Sequence, residues 1–169
     1  MKRAAVNALA LIALAAVVGF GFSLYNPPVS EGAVVAVGPV ASFPAGSITE
    51  AVLTTKLSSS VPRVSANAVD GIAEVPVLVV GITDAEFLVL YAPDPHLGCR
   101  VRPASLADPT AYGDLEGVAF INPCHGEMYD IAGRYVGGPS PRGLDRFESY
   151  VTDGVLMVDL TTFTFGPSR

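Results

Sequence analysis

Residues 92–101 read APDPHLGCRV and residues 122–130 read NPCHGEMYD, and these two loops hold both histidines and both cysteines of the 169-residue chain. No other stretch concentrates residues with metal-binding or redox chemistry, so fold and function are read outward from this pair. In the first loop His96 precedes Gly98 and Cys99; in the second Cys124 and His125 precede Gly126. Asp94, Asn122 and Glu127 each stand two positions from one of these histidines or cysteines.

The segments around the loops are strand-like. SITEAVLTT (47–55), VPVLVVGI (75–82), EFLVLYA (86–92), GVAFIN (117–122), RYVGG (134–138) and VLMVDL (155–160) are short, rich in β-branched or aromatic residues, and bounded by Gly, Pro, Asp or Ser. No helical periodicity of useful length follows residue 30, so the pattern predicts a small all-β domain. Residues 56–74 are weakly patterned and read as an excursion between the first two strands. The tail TTFTFGPSR alternates aromatic residues with Thr and reads as an added edge strand.

Ahead of the domain, residues 4–25 carry no charge. As a helix they would span about 33 Å, enough for a hydrocarbon core of about 30 Å. Lys2 and Arg3 precede them and place the N-terminal stub, residues 1–3, in the cytoplasm by the positive-inside rule. The expected order is then stub, anchor (4–25), Pro- and Gly-rich linker (26–39) and an extracytoplasmic domain (40–169), on the periplasmic or outer side of the cell membrane. A cleaved signal peptide is the alternative, although no small-x-small site precedes Asn26. A net charge of −6 and a pI near 4.7 exclude a nucleic-acid binder, which needs a basic face. Two cysteines in an exported domain favour a disulfide with each other, with two buried free thiols as the alternative.

The spacing Asp-x-His-x-Gly-Cys, followed by Asn-x-Cys-His-Gly, resembles the Rieske iron–sulfur family. There, two loops of the form Cys-x-His-x-Gly-Cys and Cys-x-Cys-His-Gly hold a [2Fe–2S] cluster through two His and two Cys. The resemblance implies histidine ligands at His96 and His125 and a disulfide between Cys99 and Cys124. It also implies a Pro-rich third loop at GGPSPRGL (137–144), closing strands within DRFESYVTDGVLMVDL, and a first strand within VGPVASFPAGSITEAVL. It covers roughly residues 37–160. The fold it implies is a Rieske-like small β-sandwich with a cluster-binding-type loop subdomain on one N-terminal transmembrane helix.

Both ligand-cysteine positions are changed, to Asp94 and Asn122, although soft thiolates are what match a sulfide-bridged ferric pair. Respiratory members usually place a hydrogen-bonding serine after the second His-Gly; Glu127, which can only accept when ionised, stands there. The leading expectation is a degenerate Rieske protein: a structural subunit of a membrane-bound respiratory or electron-transfer complex, without its cluster and not an enzyme on its own. A second is a mononuclear zinc or Fe(II) site drawing on Asp94, His96, His125 and Glu127. The third is the family's own one-electron transfer through [2Fe–2S]. Simple hydrogen-bonded loop histidines remain the plain reading of His96 and His125, and Asn122 is expected to cap its loop through the backbone. Arg142 and Arg146 read as a solvated strand edge or as contacts to a partner subunit. No Ser-His-Asp order, phosphate loop or paired glycosidase carboxylates appear.

Overall fold

A computed structural model describes residues 30–31, 33–56, 71–106, 112 and 115–169. The anchor expected over 4–25 and most of the excursion expected over 56–74 lie outside these residues. Among the described residues no helix is long and apolar enough to cross a membrane. The fold is all-β, as the strand pattern predicts. Its strands are β1 (Ser30–Glu31), β2 (Val34–Pro39), β3 (Ile48–Lys56), β4 (Ile72–Gly81), β5 (Phe87–Tyr91), β6 (Arg102–Pro103), β7 (Phe120–Ile121), β8 (Met128–Tyr129), β9 (Tyr135–Gly137), β10 (Arg146–Thr152) and β11 (Val155–Thr164).

Seven strands form one sheet in the order β1-β3-β4-β5-β10-β11-β2, and β6 to β9 form a second of four. β4 shows why the sheets pack as they do. Its residues alternate in direction with a period of two. Ala73, Val75, Val77 and Val79 enter a core with Val35, Leu53, Val89, Phe147, Leu156 and Val158. Leu78 and Val80 point the other way, into a second core with Leu90, Val101, Phe120, Tyr129 and Leu144. Both faces of the C-terminal half of β4 are therefore covered, which accounts for the unbroken apolar run from Val77 to Val80. The second core is where the four-stranded unit, and with it the loops, sits on the large sheet.

Two expectations are corrected. Val34–Pro39 falls in the segment read as linker, but it forms β2 and pairs antiparallel with β11, from Val155↔Pro39 to Asp159↔Val34. The Pro, Gly and small residues of 26–39 suggested a linker, whereas Val35 is buried in the first core and holds the segment to the sheet. The tail adds no separate strand: Thr161–Thr164 extend β11, with Phe163 opposite Phe147 and a bulge between Phe147 and Glu148 absorbing the slip. β7 spans only Phe120–Ile121 of the expected 117–122, with Asn122 already in the loop.

Candidate functional site

Three connections converge at one end of the four-stranded sheet. The first, 92–101, joins β5 to β6; the second, 122–127, joins β7 to β8; the third, 138–145, joins β9 to β10. Cys99 and Cys124 are disulfide-bonded with their Cα atoms 6.4 Å apart, which ties the first loop to the second. The pairing that the resemblance implied is therefore present.

Asp94 organises the first loop. Its Oδ1 accepts from the backbone N–H groups of His96, Leu97 and Gly98 at 2.8, 2.8 and 3.0 Å. This nest of amides sets the turn and aims His96. The other oxygen, Oδ2, accepts from the side-chain amide of Asn122 across the two loops. Asn122 is fully buried, and its Oδ1 accepts from Cys124 N–H at 2.8 Å, capping the second loop. Asp94 and Asn122 thus hold each other and their own loops, in parallel with the disulfide.

The two imidazoles lie side by side, with ring centroids 5.4 Å apart and planes at 75°. Their side chains are 32% and 34% exposed, while Glu127 between them is 0% exposed. Glu127 Oε1 is 2.9 Å from His96 Nδ1 and 4.0 Å from His125 Nδ1, so both rings turn the same nitrogen toward one carboxylate. The third loop lies directly against this residue. A Cβ on Gly138 would come within 2.6 Å of Glu127 Cα and 2.8 Å of the Gly126 carbonyl oxygen, and the residue has φ +94°, so only glycine permits the approach. Below it Tyr129 is wholly buried and its hydroxyl has no hydrogen-bond partner among the described residues; burial, reinforced by the carboxylates of Asp94 and Glu127, pushes its phenol above the usual range.

The structure brings Asp94, His96, Asn122, His125 and Glu127 into one cluster, but not in equivalent roles. The ligand atoms that lie within 4.8 Å of one another belong to His96, His125 and Glu127. Arg142 is not the solvated edge residue expected: its guanidinium grips Asp145 through two hydrogen bonds and lies 5.1 Å over the Phe165 ring. Asp145 also accepts from Gly166 N–H, so this ion pair braces the third loop against the C-terminal tail. The spacing of Arg142 and Asp145 in sequence was the available signal. Nothing in the sequence pointed to Ser140, which is buried and donates to the Arg142 carbonyl.

No family model matches the chain. It is 40% identical over 63 residues to the ubiquinol-cytochrome c reductase iron-sulfur subunit of Rhodospirillum rubrum, covering 37% of this chain and 32% of the relative. For the same subunit of Rhodobacter capsulatus the identity is 42% over 65 residues, covering 38% and 30%. The mitochondrial cytochrome b-c1 complex subunit Rieske-1 of Arabidopsis thaliana is 38% identical over 66 residues, covering 39% and 21%. The match spans about a third or less of these relatives. Among solved structures, the cyanobacterial plasma membrane Rieske protein of Synechocystis PCC 6803 aligns with a TM-score of 0.37 at 26% identity, over 49% of this chain and 75% of that one. A complex of oxygenase and ferredoxin in carbazole 1,9a-dioxygenase aligns with a TM-score of 0.44 at 17% identity, over 79% and 97%.

Proposed function

We propose that the chain is a member of the Rieske iron–sulfur protein family and a structural subunit of a respiratory or electron-transfer membrane complex, carrying no [2Fe–2S] cluster; its similarity to iron-sulfur subunits supports the reading. In this reading residues 4–25 anchor it, and the folded domain, outside the cytoplasm, includes β1 and β2 ahead of residue 40. The relatives' names, which describe iron-sulfur subunits of ubiquinol-cytochrome c reductase, support the kind of assembly.

The observation that carries the cluster-free reading is how Asp94 and Asn122 are used. They stand where the family pattern puts thiolates, and both are committed to hydrogen bonds that close the loops. A carboxylate already accepting four hydrogen bonds and a neutral amide are poor donors for a sulfide-bridged ferric pair. Glu127 adds a buried anion beside the histidine nitrogens. The donor set does not fit the cluster, so no electron-transfer step is assigned to this chain.

Full-length protein purified in detergent is expected to contain no acid-labile sulfide and, after reduction, no Rieske-type paramagnetic signal. One sulfide pair per chain would overturn the reading. The converse experiment restores the thiolates: Asp94→Cys with Asn122→Cys and Glu127→Ser is expected to take up iron and sulfide on chemical reconstitution, whereas each single cysteine variant is not. A triple variant that stays folded yet binds neither element would show that residues 94 and 122 are not the ligand positions.

A further inference from the structure

We propose that His96, His125 and Glu127 form a mononuclear site for a divalent transition-metal ion, with zinc the best match. The inference rests on the cluster-free reading and gives the two histidines a ligand that the loops can hold. Three features carry it.

First, Glu127 is wholly buried; its Oε1 faces both imidazoles, and its Oε2 has no hydrogen-bond partner among the described residues. A desolvated carboxylate with one oxygen unanswered is costly unless a cation faces it. A bound ion with two charges supplies that cation.

Second, the distances fit. A tetrahedral zinc with bonds of about 2.0–2.1 Å separates neighbouring ligand atoms by about 3.4 Å. The two Nδ1 to Oε1 separations, 2.9 and 4.0 Å, bracket that value. The ligand atoms of all three residues lie within 4.8 Å of one another, so side-chain rotation has to close the widest separation to bring them onto one centre. The partial exposure of both imidazoles leaves the fourth position to water, and two nitrogens with one oxygen are the donors that borderline Zn²⁺ accepts.

Third, the ligands are held in advance. Each histidine shares its loop with one half of the Cys99–Cys124 disulfide, and Asp94 aims His96 through that residue's backbone N–H. Asp94 is thereby a positioning residue and not a ligand: its oxygens are already engaged by the loop amides and by Asn122. Glu127, supplied from the second loop and covered by Gly138, provides the carboxylate in its place.

The test is isothermal titration of chelator-treated, full-length protein with zinc chloride, repeated with cobalt(II) chloride, whose visible absorption reports tetrahedral coordination. One ion per chain is expected. His96→Ala, His125→Ala and the near-isosteric Glu127→Gln should each weaken binding by at least about 100-fold, more than the roughly 10–100-fold lost with a group that only orients a ligand. Asp94→Asn should fall within that smaller range. Circular dichroism and disulfide content verify that each variant is folded. Wild-type protein that ignores micromolar zinc, or a folded double histidine variant that still binds one ion, overturns the site. A sulfide assay on the same preparation separates the two claims: sulfide-positive protein overturns the cluster-free reading, and sulfide-free protein that ignores zinc overturns the metal site alone.

Discussion

Cys99→Ser is expected to lower the unfolding free energy by about 3.5 kcal/mol, within the roughly 2–5 kcal/mol that native disulfides contribute in small exported domains. The value follows from the chain-entropy relation for the sequence separation of 25 that the bridge closes. Its placement makes the loss selective, because the bond joins the loop that carries His96 to the loop that carries His125. Urea unfolding of the oxidised protein, followed by circular dichroism, measures the effect. Cys124→Ser should cost the same, and the double variant no more than either single one, since all three break one bond. Thiol labelling of denatured, unreduced wild type should find no free thiol. A single variant within about 0.5 kcal/mol of wild type, the range of ordinary surface substitutions, would show that the loops hold together without the bridge.

Asp94→Ala should cost a similar amount, about 3–5 kcal/mol, for a different reason. The side chain is 5% exposed and accepts three backbone N–H groups and the Asn122 amide. Removing it leaves several donors without a partner, and each buried orphan costs about 1–3 kcal/mol where water cannot replace the acceptor. Some of the loop amides will find water, so the total falls below the simple sum. Asn122→Ala should cost less, since it removes one donor to Asp94 and one acceptor from Cys124. A double-mutant cycle between positions 94 and 122 should give a coupling above about 0.5 kcal/mol, as expected for residues in one buried network. An additive cycle, or a neutral Asp94→Ala, would mean that the disulfide alone closes the two loops.

The two loops are thus held to each other by two clamps. One clamp is covalent and limits the unfolded chain; the other is a buried polar network that stabilises the native turn. The polar clamp is formed by Asp94 and Asn122, whose side chains hold both loops as well as each other.

Much of this was local and therefore legible. A strand announces itself by residues alternating over a few positions, so β3, β4, β5 and β11 could be read from runs such as VPVLVVGI and VLMVDL. The ordered spacing of His, Gly and Cys in two loops was likewise visible, and with it the disulfide. Tertiary structure decided the rest, because hydrogen-bond partners and burial depend on residues that are distant in the chain. Asp94 meets Asn122 across 28 positions. Glu127 looks like a solvated loop carboxylate until Gly138 brings the third loop onto its backbone. Arg142 turns inward because Asp145 and Phe165 converge on it. β2 is a strand because β11 offers a free edge to a segment whose own composition suggests a linker. The sequence by itself determined which chemical groups stand at the tips of these loops. Only the fold decided which of them face one another, since that choice is made by the packing of the four-stranded unit on the large sheet.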